Sequence, residues 1–361
     1  MEEYDQINAE DFLNKITDKK ILRDVITQTF FLNCGLHPKD VSSLFFLAYC
    51  NSTEGINNQF HKNTEGMQQF IIEGGLENVK SKLTQIIGRD SIVPISEISE
   101  ICWDDYCIGM KTRDQYFFAN KLIYTLSETE TNNIKFIPPL SDEKNIISNN
   151  LVTGTLKNFQ VVYERPFWQD KNLSGDVYVM NTENKNGPIG ICLNVSKAEE
   201  ETYLLTGLAE QDKNKNEILE QLAFYLGSEA LNPTEYVESK MSLFDQRFPQ
   251  GCASMNCFEC IRVNDERIVW ASPETATNWY GTISGSIQAG LNGTIHALHD
   301  LHPNILSLDD IEIISPNEIV IPTRNLDVFS SKWQILIPTI LLSIFVVVNL
   351  KKYLSKKSVN S

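Results

Sequence analysis

The sequence predicts an α/β (α+β) protein with a membrane-spanning helix at its C-terminal end. Segments with helical period alternate with β-rich segments over residues 1–302. A strand at Ile268–Ala271 leads through a polar turn into a helix that begins near Gly281. Residues 333–350 form a nearly continuous apolar stretch. These three observations define the predicted fold class.

Composition limits the classes of function. The chain has 361 residues, of which 42% are hydrophobic, so it can form the buried core of one large domain or of two modest domains. Its net charge of −16 argues against a nucleic-acid partner, because phosphates attract Lys/Arg-rich surfaces. Eight cysteines show no regular framework and no signal peptide is visible, which predicts reduced thiols in a body that faces the cytosol.

The first 140 residues predict helices followed by strands. Residues 1–65 are predicted to be helical because apolar side chains recur at helical spacing. A strand and turn at Phe70–Gly75 should precede a helix at Glu77–Ile87, and residues 89–139 should form short strands.

The next segment predicts a sheet and one amphipathic helix. Residues 141–215 are β-rich and contain Lys157. A helix over Asn214–Leu226 should turn its apolar side inward. That side consists of Ile218, Leu219, Leu222 and Leu226.

The helix near Gly281 has unusually small residues in its first turns. Its apolar period is carried by Ile283, Ile287, Leu291, Ile295 and Leu298. Small residues at a helix N-terminus let a phosphate or an electron-rich ring edge approach the free backbone N–H groups. The structural alternative is close packing of the helix on the preceding strand.

Trp333–Leu350 predicts a tail anchor. Eighteen residues at about 1.5 Å each span about 27 Å, enough to cross a bilayer core. A short basic tail, residues 351–361, follows. A buried core helix is the alternative, but such helices rarely lack a polar face. The positive-inside rule by itself would place the lysines of this basic tail in the cytosol. That orientation would require translocation of the whole body without a signal peptide, which is implausible, so the body is expected to face the cytosol.

Several motifs together resemble the flavin-containing monoamine oxidase family. Glu274-Thr-Ala-Thr followed by Trp279, Gly281 and Gly285 resembles the family's C-terminal flavin-binding segment. Cys252 stands where the family carries its flavin-bonded cysteine, and Lys157 stands where it carries its active-site lysine. The stretches 164–168 and 3–16 extend the likeness, which runs from about residue 3 to the C-terminus.

The resemblance implies an incomplete two-domain flavin amine oxidase fold, in which an FAD/NAD(P)-binding-like layer interleaves with a mixed-sheet substrate domain. The implied division is a helical part of the substrate domain (1–65), flavin-side strands and helix (66–140), substrate domain (141–240), C-terminal flavin-binding segment (241–302), connector (303–332), transmembrane anchor (333–350) and basic tail (351–361).

The resemblance also implies the site. FAD would be the cofactor, with a thioether to Cys252, and Lys157 would hold a water at the flavin. The other expected cofactor-binding residues are Glu274, Thr275, Gly281, Thr282 and Gly285. A zinc site would be the alternative role of three cysteines and three histidines, but their spacing fits no regular zinc finger, so no metal is expected. These residues are Cys252, Cys257, Cys260, His296, His299 and His302.

The implied reaction is oxidative deamination of a primary or biogenic amine to an aldehyde, ammonia and hydrogen peroxide. The implied partners are a small amine, the lipid bilayer and a second copy in a homodimer. The implied location is the mitochondrial outer membrane with the body in the cytosol, the endoplasmic reticulum membrane being the alternative.

Departures from the family pattern support a second hypothesis. No Gly-x-Gly-x-x-Gly fingerprint occurs, so the N-terminal dinucleotide-binding unit is expected to be absent. Ala253 and Thr282 stand where the family has two tyrosines facing the flavin, and Leu243 stands where it has a tryptophan. The alternative is therefore a catalytically inactive tail-anchored relative that acts as an interaction or scaffold protein.

Overall fold

A computed structural model describes most of the chain before residue 311. The described residues are 2–53, 55, 72, 75–94, 97–126, 128–142, 144–145, 152–179, 187–196, 202–247, 261–307 and 310. Cys252 and the apolar stretch 333–350 lie outside this set. In the part of the chain that the structure describes, no helix is long and apolar enough to cross a bilayer.

The N-terminal part is helical, as predicted, over the described residues 2–53. Asn8 and Ser42 cap the second and fourth helices through side-chain oxygens that accept backbone N–H groups. The third helix ends at Gly35, whose φ of 64° is left-handed. The helices are α1 (Glu2–Asp5), α2 (Ala9–Ile16), α3 (Lys20–Cys34) and α4 (Ser43–Ser52).

Two glycines allow α3 to approach the main sheet closely. A Cβ atom at Gly154, near the start of the long strand that follows, would overlap the carbonyl oxygen of Cys34. A Cβ at Gly35 would lie 2.7 Å from the backbone nitrogen of Thr155. The end of α3 therefore packs directly against the backbone of this strand.

The predicted helix and short strands of residues 77–139 are present. Helix α5 (Gly75–Ile87) precedes a four-stranded sheet with the order β3-β2-β1-β5. In this sheet β1 and β5 are parallel, and the other pairs are antiparallel. The elements are β1 (Ile98–Trp103), β2 (Ile108–Thr112), β3 (Tyr116–Ala119), β4 (Leu122–Tyr124), α6 (Glu128–Thr131) and β5 (Lys135–Ile137).

A five-stranded antiparallel sheet with the order β10-β6-β9-β8-β7 forms the main core with helix α7 (Lys215–Leu226). Asn214 and Glu217 form a capping box that starts α7. The four predicted inward residues of α7 are all buried, which confirms that prediction. The strands are β6 (Val152–Tyr163), β7 (Val177–Tyr178), β8 (Ile189–Asn194), β9 (Tyr203–Glu210) and β10 (Glu235–Arg247).

The predicted strand before the glycine-rich segment is β11 (Ile268–Trp270), which pairs in parallel with β4. The predicted helix is α8 (Ile283–Leu301). Its inward side consists of four small residues, Gly285, Ala289, Gly293 and Ala297, and of one predicted apolar residue, Ile295. Ile283, Ile287 and Leu291 are exposed instead. A Cβ at Gly293 would lie 2.7 Å from that of Ala271, so close packing beside β11 selects small side chains there, and Ile283, Ile287 and Leu291 lie on the outer side.

Candidate functional site

The segment 272–282, which we call the C-terminal loop, connects β11 to α8. A single 3-10 turn at Pro273–Thr275 buries Glu274 to 2% exposure and Thr275 to 7%. Glutamate is among the residue types that are least often fully buried. Glu274 is therefore the most unusual side chain of the loop and a candidate for function.

Two side chains from outside the loop fix its backbone. The guanidinium of Arg262 donates to the carbonyl oxygens of Thr275 and Ala276 at 3.0 and 3.2 Å. The Gln288 side-chain oxygen, one turn into α8, accepts the N–H groups of Thr277 and Asn278 at 3.1 and 3.0 Å. The loop is thus held by hydrogen bonds from both of its ends.

The end of the loop is a tight turn with two left-handed residues. Trp279 has φ 54° and Gly281 has φ 74°. The N–H of Trp279 donates to the carbonyl of Ser52 at 2.8 Å, which joins the loop to the C-terminal end of α4. A Cβ at Gly285 would overlap the carbonyl oxygen of Trp279. Gly281 and Gly285 are therefore required by the turn itself, whatever ligand it contacts.

Thr282 is the N-cap of α8. Its hydroxyl accepts the N–H of Gly285 at 3.1 Å and donates to the carbonyl of Trp279 at 2.6 Å. The amides of Ile283 and Ser284 have no intrahelical acceptor, because they belong to the first turn. With an exposed Ser284 beside the buried loop, this helix end suits the electron-rich or anionic part of a flavin cofactor.

Lys157 lies in a different environment. Its ammonium nitrogen is 2.9 Å from Glu238 Oε1 on β10 and donates to the carbonyl of Lys213 at 2.6 Å. The hydroxyl of Tyr236 donates to Glu238 Oε2 at 2.7 Å. The hydrogen bonds from Lys157 and Tyr236 hold the pKa of Glu238 below its ordinary value, and burial together with Glu238 raises the pKa of the Tyr236 phenol.

The side of the sheet on which Lys157 lies is set by strand alternation. Lys157 shares a face with Phe159 and Val161, which belong to the core cluster formed with α7. Its ammonium group bonds to Glu238 on β10 and to the carbonyl of Lys213, and neither residue belongs to the C-terminal loop. The predicted contact of Lys157 with a flavin-bound water stays a prediction.

The other predicted site residues divide into two groups. Glu274, Thr275, Gly281, Thr282 and Gly285 lie together in the C-terminal loop and the first turn of α8. Cys252 lies outside the described residues. Cys257 and Cys260, the other cysteines of the zinc alternative, also lie outside the described residues. Within the described part no cluster of metal-ligating side chains occurs.

Sequence reasoning missed Arg262, Gln288 and Ser52, which position the C-terminal loop, and Glu238, which pairs with Lys157. No motif marks them, because each acts through a backbone group or a charge that the fold brings close. A weak signal exists only for Gln288, a polar side chain one turn into a helix otherwise rich in small and apolar residues.

Comparison with known proteins identifies the family. The family model for flavin containing amine oxidoreductases matches residues 10–293. "Amine oxidase [flavin-containing] A" of Bos taurus is 26% identical over 358 residues, covering 94% of this chain and 66% of the relative. "Probable flavin-containing monoamine oxidase A" of Dictyostelium discoideum is 23% identical over 310 residues, covering 80% of this chain and 66% of the relative. The chain thus spans just under two thirds of the length of these relatives.

Solved structures show the same fold. The cyclohexylamine oxidase from Brevibacterium oxydans superposes with a TM-score of 0.71 at 19% identity, covering 83% of this chain and 69% of that one. A putrescine oxidase bound to putrescine gives 0.67 at 16% identity, with 83% and 68% covered. The predicted mixed helix-and-sheet flavin amine oxidase fold is confirmed, and this chain belongs to the flavin-containing amine oxidoreductase family.

Proposed function

We propose that this chain is an FAD-dependent amine oxidase. The observation that carries the proposal is the family match over residues 10–293, which includes the C-terminal loop with its buried Glu274 and capped helix α8. The net reaction is R-CH2-NH2 + O2 + H2O giving R-CHO, NH3 and H2O2. FAD, when bound, supplies the two-electron chemistry between the amine and O2. The family match gives the inactive-scaffold alternative no support.

In this proposal the C-terminal loop binds and orients the cofactor. The backbone N–H groups of Ile283 and Ser284 would donate hydrogen bonds to the electron-rich side of the flavin, and Thr275 and Glu274 would border its polar chain. Thr282 orients the helix end, whereas Gly281 and Gly285 keep the turn narrow. Arg262 and Gln288 hold the loop rigid before the cofactor arrives, which limits the ordering cost of binding.

Cys252 and Lys157 complete the proposed site on the strength of resemblance. Cys252 is proposed to bond covalently to the flavin ring. Lys157 is proposed to order a water, a role that would require its ammonium to reach past the ion pair with Glu238. An alternative that fits the observed contacts better is that Lys157 positions β10 against β6.

We propose a small primary amine as the substrate. Amines are ammonium cations at neutral pH, and the net charge of −16 on this chain raises their local concentration. The narrower substrate class follows only from the relatives, whose names include monoamine, cyclohexylamine and putrescine oxidases.

The cofactor assignment is tested by expressing the full chain, purifying it in detergent and adding FAD. Flavin absorption that follows the protein, and peroxide released from a panel of primary amines, are expected. After denaturation, flavin should stay bound to the unmutated chain and should be released from the Cys252→Ala variant. The Cys257→Ala variant is the matched control and should keep its flavin. A colourless protein that releases no peroxide from any amine would contradict the enzyme assignment, and flavin lost from all three variants would contradict the covalent bond alone.

We also propose that residues 333–350 anchor the body to the mitochondrial outer membrane, with the endoplasmic reticulum as the alternative, and that the chain forms homodimers. The apolar stretch and the basic tail support the anchor. The division into seven segments is likewise part of this proposal.

A further inference from the structure

Helix α5 is amphipathic, and its apolar side is uncovered. The helix is 13 residues long, and none of its residues is buried. Its large apolar side chains are each between 37% and 81% exposed. They are Leu76, Val79, Leu83, Ile86 and Ile87. A helix of this length is only marginally stable in water by itself, so a partner for its apolar side is expected.

These apolar side chains form one continuous stripe along α5. Successive residues of a helix are about 100° apart around its axis. The spacing i, i+3, i+7, i+10 and i+11 therefore places all of them within a sector about 100° wide. The opposite side of the helix carries Asn78, Ser81 and Gln85. This division is typical of helices that lie in the plane of a bilayer surface.

Lysines border the apolar stripe on both sides. The same helical geometry places Lys80 beside Ile87 and Lys82 beside Ile86, at the two edges of the sector. Glu77 lies on the polar side of the helix and pairs with Lys80 at 3.4 Å. Lysine stems can lie along an apolar surface while their ammonium groups reach the phosphates of lipid headgroups.

The charge of α5 also suits an anionic lipid surface. Two lysines and one glutamate give the helix a net charge of +1, in a chain whose net charge is −16. The stripe itself carries no acidic residue. A basic helix with an exposed apolar side therefore stands out from an acidic protein, and anionic phospholipids attract such a helix.

The length of the chain beyond the described body brings α5 within reach of a bilayer. The last described residue is 310, and the proposed anchor begins at residue 333. Residues 311–332 can span at most about 75 Å, at roughly 3.3–3.6 Å for each residue. An anchored body is thus held at a high effective concentration beside the lipid, so a short helix can bind it.

We propose that the apolar stripe of α5 docks on an anionic phospholipid surface with the helix axis in the plane of the membrane. Leu83 and Ile86 enter the boundary between headgroups and acyl chains, and Lys80 and Lys82 bind headgroup phosphates. The body is then held by two contacts, the anchor and α5, which together fix its orientation on the membrane. This inference rests on the proposed anchor at residues 333–350.

A fluorescent amino acid placed on the stripe tests the docking. The full chain is reconstituted in phosphatidylcholine vesicles that contain phosphatidylserine and a nitroxide-labelled phospholipid. An environment-sensitive fluorescent residue in place of Ile86 is expected to show blue-shifted emission and quenching by the nitroxide. The same residue in place of Gln85, which is exposed on the opposite side of the helix, is the matched control and should show neither.

Flotation of the vesicles separates this inference from the anchor. A chain that floats with the vesicles, but is quenched equally or not at all at positions 85 and 86, would overturn the docking of α5 and leave the anchor standing. A chain that does not float would overturn both. Blue-shifted emission at position 86 that ignores the nitroxide would show that protein covers the stripe, which would also overturn the proposal.

Lysine substitutions test the contribution of charge. Lys80→Gln and Lys82→Gln should each lower the ratio of docked to undocked helix about fivefold in vesicles with phosphatidylserine, as expected for one lysine near an anionic surface. Quenching at position 86 measures this ratio. Lys39→Gln, at an exposed lysine outside α5, is the matched control and should leave the quenching unchanged. Equal losses from all three variants, or none from the two α5 variants, would contradict the proposed headgroup contacts.

Discussion

Gly285 and Gly290 lie five residues apart in α8, yet an added methyl group meets opposite surroundings. At Gly285 it would overlap the carbonyl of Trp279, whereas at Gly290 nothing lies within 4 Å. We expect Gly285→Ala to destabilise the fold by about 1–3 kcal/mol through this overlap. Gly290→Ala should stabilise it by about 0.5–1 kcal/mol, because alanine is the better helix former.

Chemical denaturation of the two glycine variants measures both effects. Equal stabilities would mean that the turn at Trp279 relaxes without cost. If FAD binding is also measured, Gly285→Ala should weaken it more than Gly290→Ala, because only Gly285 contacts the C-terminal loop.

Glu238 gives a pH-dependent prediction at the same scale. Its pKa is lowered from 4.5 by the hydrogen bonds from Lys157 and Tyr236. A carboxyl whose folded-state pKa is depressed contributes stability above its unfolded pKa and loses it as pH falls through the folded pKa. The free energy of unfolding should therefore exceed that of Glu238→Gln near neutral pH, by about 0.2–1 kcal/mol given its exposed side chain, and the difference should vanish in acid.

The control for Glu238 is Lys157→Met, which removes the partner. In that background Glu238→Gln should have a smaller effect at neutral pH, as a double-mutant cycle would show. A difference between Glu238 and Gln that stays constant from neutral to acid pH would contradict the ion-pair account. Amine oxidation by Lys157→Met separately tests whether this lysine acts at the flavin.

At the scale of elements, α7 shows how one helix divides its side chains. Leu222 is fully buried against the main sheet, and Phe224 on the same helix is 63% exposed. Leu222→Ala should cost about 2–5 kcal/mol through lost burial and the cavity left behind. Phe224→Ala should stay within about 0.5 kcal/mol, as exposed positions usually do.

Thermal or denaturant unfolding of the two α7 variants provides the measurement. Comparable losses from Leu222→Ala and Phe224→Ala would mean that Phe224 is covered in solution by a surface that the described residues do not include. The helix itself should persist in both variants, because its capping box at Asn214 and Glu217 is untouched.

In helix α8, unlike in α7, small side chains are buried and large apolar ones are exposed. Ala289 is buried against the β11 layer, and Ile287 is 59% exposed. Ala289→Leu should destabilise by about 1–3 kcal/mol through overpacking, while Ile287→Ser should change stability by less than about 0.5 kcal/mol. A strong loss from Ile287→Ser would show that the exposed apolar side of α8 is buried in the functional protein.

At the scale of the whole molecule, the proposed membrane anchor predicts how the protein is extracted from cells. A chain that ends at residue 332 should be released from membranes by buffer alone, whereas the full chain should need detergent, because burial of residues 333–350 in lipid is lost. Cell fractionation with a chain that ends at residue 350 as the control separates the apolar stretch from the basic tail. Equal extraction of the full chain and the 332-residue chain would contradict the anchor.

Local sequence patterns determined the elements and the family. The inward residues of α7 follow from helical period and a capping box, both of which act within a few residues. The helical prediction for residues 2–53, the strands of residues 98–137 and the start of α8 depend on equally local signals. The motif around Glu274, together with the stretches 164–168 and 3–16, was sufficient to indicate the family, because a resemblance in sequence does not depend on contacts between remote elements.

Tertiary structure decided which groups meet. Period-two alternation places Lys157 with Phe159 and Val161, but only the β10–β6 register brings Glu238, 81 residues away, to its ammonium. Apolar period predicts α8, yet its close approach to β11 buries the small side and exposes Ile287. Arg262 and Gln288 likewise bind the backbone of the C-terminal loop only because the fold brings them close to it. Such contacts depend on distances between elements remote in sequence, and no local pattern contains those distances.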